Sequence, residues 1–267
     1  MSDKGEGAEL LYWFFKWVLF RPIVRLVFRP SVEGAENIPA RGAAVLVSNH
    51  LSYGDTFVLP AMIRRRLTFP AKAELFSGRG VGARVVAWFL RNVGMLPMDR
   101  SGGRASASSM DSVFGVLSRG DLVGIYPEGT RSPDGRLHKG KTGVARLVLE
   151  TGVPVVPIGM VDSQFVASRF LRIPVMRRPS IRIGAPLDFS RYASAAKDRD
   201  VLRYVTDEIM AVVMGLSGQS YVDVYGASVK AARAEGKELS TVELSRPGEG
   251  RPVPPVPPAS VATDLNA

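Results

Sequence analysis

Apolar residues fall into two kinds of run along this chain. Residues 43–48, 121–126 and 153–161 are short and almost continuously apolar, which predicts buried strands. Residues 68–73 and 93–98 predict two more, and in residues 180–183 Ile181 and Ile183 alternate with polar neighbours. Between these lie runs with helical spacing at 56–63, 85–90, 106–117 and 144–149, and a long one at about 198–215. In residues 106–117 the apolar positions are Met110, Val113, Phe114 and Leu117. Strands alternating with helices predict the α/β class, with a mixed, largely parallel sheet flanked by helices.

The two ends depart from this rhythm. Residues 10–20 are apolar except for Lys16 and hold Tyr12, Trp13, Phe14, Phe15 and Trp17. Arg21 and Pro22 interrupt the run, and proline suits the first turn of a new helix. Arg21, Arg25 and Arg29 then recur every fourth residue beside Ile23, Val24, Leu26, Val27 and Phe28. A spanning helix needs about 20 apolar residues, more than this run supplies. Residues 1–30 are therefore expected to form an interfacial two-helix element, with aromatics at headgroup level and arginines against lipid phosphate. The plainer alternative is an amphipathic helix packed on the core. From Arg246 onward six prolines crowd a short span, so 246–267 is expected to be a disordered tail with polyproline II segments. Residues 31–245 remain as one domain.

Charge narrows the partners. Thirty-five Lys and Arg against 25 Asp and Glu give a net charge of +10, which suits anionic partners. No helix-turn-helix or aromatic RNA-binding pattern accompanies that charge, so nucleic acid is not expected. The absence of cysteine removes thiolate nucleophiles, disulfides and Cys-based zinc sites. With only His50 and His138 as histidines, no metal site is expected, and any histidine chemistry has two candidates.

His50 lies in Asn49-His50-Leu51-Ser52-Tyr53-Gly54-Asp55, directly after an apolar strand, where open α/β sheets place ligands. Imidazole suits proton transfer near neutral pH, and a carboxylate can orient it. Five residues of continuous helix would rotate the two side chains apart by roughly 140°. A turn has to bring His50 and Asp55 together, and Ser52 and Gly54 are turn residues. With 13 aspartates in the chain, one of two histidines meets an Asp at this spacing by chance about one time in ten. The pair therefore takes its weight from its surroundings. A second constellation, Tyr126-Pro127-Glu128-Gly129-Thr130-Arg131-Ser132, also leaves a strand. Gly129 permits a turn with its N–H open to a ligand, Arg131 offers a planar fork for phosphate, and Glu128 can accept from a hydroxyl. His138, in a Pro-Asp-Gly loop, is expected at the surface.

Together these segments resemble the glycerolipid acyltransferases of the lysophosphatidic acid acyltransferase type. NHLSYGD fits N-H-x-S-x-x-D, residues 94–100 fit G-x-x-x-x-D-R, and YPEGTRS has Tyr126 where the family usually shows Phe. The proline-containing strand at 153–158 is a fourth block, and residues 72–75 and Lys139-Gly140 also fit. The resemblance covers about residues 40 to 185. It implies that acyl-CoA or acyl carrier protein donates an acyl group to the free hydroxyl of 1-acylglycerol-3-phosphate, giving phosphatidic acid without a cofactor. It makes His50 the general base and Asp55 its orienting group. Lys72 and Arg131 take the acceptor phosphate, with Arg100 a further candidate, and Glu128, Gly129 and Thr130 also bind the substrate, the first two by positioning the glycerol. Amides near Gly129 or beside His50 are candidates for the oxyanion. The expected partners are a lysophospholipid and an anionic membrane surface, and the expected place is the cytoplasmic face of the cell membrane, peripheral or monotopic.

Overall fold

A computed structural model describes residues 3–98, 103–167, 174–176 and 178–258. The strands in chain order are β1 (Ser31–Glu33), β2 (Ala44–Ser48), β3 (Leu67–Lys72), β4 (Met95–Met98), β5 (Leu122–Ile125), β6 (Leu137–His138), β7 (Val155–Val161), β8 (Phe165–Ala167), β9 (Pro174–Met176), β10 (Ser180–Ile183), β11 (Tyr221–Val222) and β12 (Glu243–Leu244). The α-helices are α1 (Asp3–Phe14), α2 (Arg21–Ile23), α3 (Asp55–Met62), α4 (Val81–Asn92), α5 (Gly103–Ser118), α6 (Gly143–Thr151), α7 (Arg199–Ser217) and α8 (Gly226–Ala234).

Seven strands form the main sheet in the order β1-β10-β7-β2-β5-β3-β4. Every neighbouring pair is parallel except β10 with β7. The sheet is mixed and largely parallel, as the alternation of strands and helices predicts. β2 is buried at all five positions because apolar layers cover both faces. Val45 and Val47 enter one core with Val113, Leu147 and Val205 from α5, α6 and α7. Ala44 and Leu46 enter the other with Val58 and Leu59 of α3 and Val24 of the N-terminal segment. At Gly159 of β7 the backbone of α7 comes so close that a Cβ would lie 2.5 Å from the carbonyl carbon of Leu216. Only glycine fits, and the end of α7 is thereby pinned beside the strand ends.

The N-terminal segment keeps a division at Arg21–Pro22, but as a change of helix type rather than a break. Helical turns run from Asp3 to Phe28, with π turns at Phe15–Phe20 and Val24–Phe28 on either side of α2. Phe20 and Arg21 both stay right-handed. One side of this segment packs on the domain. The buried Tyr12 accepts from the Leu67 amide at 3.1 Å, and Phe20 stacks on Phe57 at 5.8 Å between ring centres. The other side leaves Leu10, Phe14, Trp17, Val18, Ile23, Leu26 and Val27 exposed, and α4 adds Val81, Val85 and Trp88 to the exposed apolar residues. Among the described residues no helix is long and apolar enough to cross a membrane.

Lys16 is buried on the packed side, and its ammonium donates to the Arg65 carbonyl at 2.6 Å. Burial, and then Arg21, lower its pKa to about 7 from an ordinary 10.5. Between these values the unfolded chain holds a proton that the folded protein has given up, so the Lys16 contribution makes stability rise with pH over that window. It is constant below about 7. Lys16→Met is expected to reduce the gain in urea midpoint between pH 7 and 10. Equal gains in the variant and the parent would show that Lys16 does not titrate there.

The proline-rich tail, expected to be disordered, is held against the domain over its described part. Arg246 pairs with Glu208, and the Arg251 guanidinium bridges Asp207 and Asp223. Composition reports the low apolar content of the segment but not two arginines that find carboxylates on α7 and after β11.

Candidate active site

The site lies at the C-terminal ends of β2 and β5, adjacent parallel strands. The chain turns sharply after Ser48, and Asp55 opens α3 five residues beyond His50. His50 Nδ1 lies 3.0 Å from Asp55 Oδ2. That same oxygen accepts from the amides of Leu51 at 2.7 Å and Ser52 at 2.9 Å. Asp55 is fully buried, and the turn between the two residues is wrapped around one carboxylate oxygen. With Nδ1 turned to Asp55, Nε2 is left without a partner among the described residues and carries the lone pair when the ring is neutral.

Asn49 and Ser52, the second expected only as a turn residue, hold this turn. Asn49, fully buried, accepts from the Met160 amide at 2.7 Å and donates to the Met160 carbonyl at 2.9 Å and to Gln219 at 2.7 Å. Ser52 donates to the Ser163 carbonyl at 2.6 Å and accepts from the Gly54 amide at 3.0 Å. Both stand at fixed positions of the N-H-x-S-x-x-D pattern, but their partners Met160, Ser163 and Gln219 lie more than 100 residues away. Tyr126 stacks on the imidazole, with centroids 4.0 Å apart and planes 12° from parallel, and on Phe69 behind it at 5.2 Å. Its hydroxyl and Asp55 Oδ1 are both buried without a partner among the described residues. Burial, with Asp55 nearby, raises the phenol well above its usual range.

Two residues of the second turn, and His138 beyond it, differ from expectation. Glu128 does not face the open site. It is 1% exposed, and its oxygens accept from the His50 amide at 3.0 Å and the His138 amide at 3.1 Å. Burial pushes its pKa up to about 8, against the pull of those two N–H groups. The Gly129 amide is not open: it donates to the Tyr126 carbonyl at 3.0 Å, in a turn whose φ of +69° favours glycine. His138 is not a surface residue. It is fully buried, with Nε2 2.9 Å from Asp134 and Nδ1 3.2 Å from the Val224 carbonyl. The amides of Gly129, His50, Leu51 and Ser52 all have acceptors within the protein, so these oxyanion candidates are already engaged.

The remaining candidates are cations and their neighbours. The Arg131 guanidinium lies over the exposed Tyr53 ring at 3.5 Å. Lys72 ends β3, exposed. Thr130 Oγ1 accepts from Lys230 of α8 at 2.6 Å. The Ser132 amide donates to the His50 carbonyl at 2.7 Å, so the two turns form one unit. Arg100 lies outside the described residues. No cluster of three or more metal-ligating side chains occurs among the described residues.

This geometry coincides with a match over residues 29–161 to the acyltransferase family model. The chain belongs to the acyltransferase family. It is 33% identical over 137 residues to the chloroplastic 1-acyl-sn-glycerol-3-phosphate acyltransferase LPAT1 of Arabidopsis thaliana, covering 51% of this chain and 37% of that one. It is 30% identical over 119 residues to the 1-acyl-sn-glycerol-3-phosphate acyltransferase of Bacillus subtilis strain 168, covering 44% of this chain and 56% of the other. The chain thus spans between 37% and 56% of the length of these curated relatives. The crystal structure of the 1-acyl-sn-glycerophosphate acyltransferase PlsC from Thermotoga maritima shares the fold, with a TM-score of 0.57 and 24% identity over 81% of this chain and 82% of that one. The matched segment holds both turns of the site, whereas α7, β11 and α8 lie beyond it.

Proposed function

We propose that this protein is an O-acyltransferase that moves an acyl group from acyl-CoA or acyl carrier protein to the free hydroxyl of 1-acylglycerol-3-phosphate, producing phosphatidic acid. The observation that carries the reading is the His50–Asp55 pair at 3.0 Å, with the opposite ring nitrogen unpartnered among the described residues and the Arg131 turn hydrogen-bonded to the same loop. The acceptor hydroxyl attacks the thioester carbonyl carbon while its proton passes to His50 Nε2. The tetrahedral intermediate collapses, the C–S bond breaks, and the thiolate leaves with a proton returned by the imidazolium. The donor arrives activated, so neither a cofactor nor a protein nucleophile is required. Asp55 holds the tautomer that leaves Nε2 basic and favours the charge that forms on the ring.

An apolar cleft beside the N-terminal segment supports a lipid substrate. Tyr12, Phe15, Phe20, Phe57, Phe69 and Met95 line it, and Phe69 is one stacked ring, Tyr126, away from His50. The exposed apolar residues of the N-terminal segment and α4, with Arg25 and Arg29 beside them, support attachment to an anionic membrane surface as a peripheral or monotopic protein at the cytoplasmic face.

Mass spectrometry of products from the purified protein, given mixed acyl-CoA and acyl carrier protein donors and mixed lysolipids, tests the reading. Phosphatidic acid is the expected product. A diacyl product with another headgroup would reassign the acceptor, and vesicle binding without any transfer would exclude an enzyme. Arg131→Ala is expected to raise KM for the phosphorylated acceptor about tenfold or more, since a charge-assisted hydrogen bond contributes about 1.5–3 kcal/mol. An unchanged KM would remove Arg131 from the phosphate site.

A further inference from the structure

The segment after the matched residues returns to the site. β11 pairs in parallel with β6, placing Tyr221 beside Leu137 and Val222 beside His138. The Lys139 amide donates to the Val224 carbonyl at 3.2 Å. This ladder delivers the start of α8 onto the second turn. At Gly226 a Cβ would lie 3.3 Å from Thr130 Cγ2 and 3.5 Å from His138 Cγ, so the helix is seated closely. One turn further along, Lys230 Nζ donates to Thr130 Oγ1 at 2.6 Å, and Arg233 donates to the Pro133 carbonyl at 2.6 Å.

The charges around this contact are unequal. Lys139 pairs with Asp223 at 3.0 Å, and Arg233 lies 3.9 Å from Asp134. Among the described residues, Lys72, Arg131, Lys141 and Lys230 have no such carboxylate partner. Arg131 belongs to the second turn, Lys141 and Lys230 touch that turn, and Lys72 is near enough to act on the Lys230 charge. The Lys141 chain lies over Gly129, 3.1 Å from where a Cβ would be. Burial and then the charge of Arg131 lower the pKa of Lys230, with Lys72 acting in the same direction and Glu128 opposing. Like charges gathered without a counter-ion repel, and a bound anion relieves that repulsion.

We propose that Lys230 is a phosphate-binding residue of the acceptor site, reaching the catalytic turn from outside the segment that carries the family's motifs. Thr130 takes one of the three ammonium donors and holds the group over the turn, and two donors remain for a ligand. Together with Arg131 and Lys72, Lys230 selects a phosphomonoester, which carries up to two negative charges near neutral pH, over a phosphodiester with one. Headgroup choice is therefore set partly by α8. The assignment rests on the acyltransferase reading for its substrate but not for its chemistry, which is anion binding.

The test uses the full chain in detergent, comparing the parent with Lys230→Met and Lys230→Arg. For the methionine variant, KM for 1-acylglycerol-3-phosphate is expected to rise about tenfold or more, with kcat within about twofold and KM for the acyl donor unchanged. Arginine is expected to bring KM back to within about threefold. Turnover of a choline-headgroup lysolipid should change little, so selectivity for the monoester falls. Lys230→Gln replaces the methionine variant in these comparisons if the latter does not fold. An unchanged KM, or a fall in kcat with KM intact, overturns the proposal, because either outcome leaves Lys230 only propping the Thr130 turn. Calorimetric titration with glycerol 3-phosphate separates the two readings. If the parent transfers no acyl group yet binds glycerol 3-phosphate about tenfold more tightly than Lys230→Met, the reaction assignment fails and the anion site stands. Equal binding by both proteins, or none by the parent, overturns the site.

Discussion

Replacing His50 with alanine is expected to lower acyl transfer by about 10²–10⁴-fold while leaving the protein folded and bound to vesicles. The reason is specific to the geometry. The acceptor hydroxyl is a poor nucleophile until its proton has somewhere to go, and His50 Nε2 is the basic nitrogen next to the cationic turn whose partner nitrogen is already fixed, by Asp55 at 3.0 Å. The loss should fall on kcat, because the ring is expected to act on the transferring proton rather than on the headgroup. Structural damage should be small. The His50 backbone contacts, its amide to Glu128 and its carbonyl from Ser132, do not depend on the side chain. What disappears is the contact with Asp55, whose Oδ2 keeps the Leu51 and Ser52 amides, and the stack on Tyr126, with centroids 4.0 Å apart, which leaves one face of that ring uncovered. Steady-state turnover beside a vesicle flotation assay checks both halves. Near-parental kcat would remove His50 as the base, and loss of vesicle binding would show that the substitution had disturbed more than the site.

What the sequence made legible followed local rules. The core strands β2, β5 and β7 are continuous apolar runs because both faces of the sheet are covered, and such runs stand out in any chain. The His50–Asp55 spacing demanded a turn, and the turn is there with its amides gathered on Asp55. What stayed hidden depends on residues far apart in the chain. Glu128 follows an apolar strand and precedes a glycine, a setting in which a carboxylate is ordinarily solvated. Its actual donors are amides 78 and 10 residues away, and neither leaves a trace in composition or periodicity. His138 sits in a loop by its neighbours in sequence, yet α8 closes over it at Gly226. Arg251 lies in a proline-rich segment, and only the folded positions of Asp207 and Asp223 give it carboxylates to bridge. In the N-terminal segment Pro22 does not end the helix, because the turns before it shift to π spacing and the backbone stays helical through Phe20 and Arg21.

Glu128→Gln is expected to lower kcat about tenfold or more while leaving KM for the acceptor within about twofold. Glu128 presents two oxygens that can each accept, and it uses one for the His50 amide and the other for the His138 amide. Glutamine has one acceptor and one amino group, so whichever way it is turned, a donor faces a donor across a buried contact. An unsatisfied buried N–H costs about 1–3 kcal/mol, and part of that cost is relieved by moving a loop. The side that yields decides the effect. The His138 side is held by α8, β11 and Asp134, whereas the His50 loop is shorter and has an open face toward the site. Displacement should therefore fall on His50, tilting the proposed base away from the acceptor hydroxyl without touching the cations proposed to bind phosphate. Glu128→Asp should also lose kcat, because a side chain one methylene shorter does not span both amides. A glycerol-binding Glu128, the role suggested by the motif, gives the opposite split: KM rises and kcat is less affected. Measuring both constants for both variants decides whether this buried side chain touches substrate or, as its hydrogen bonds indicate, holds the His50 loop in place.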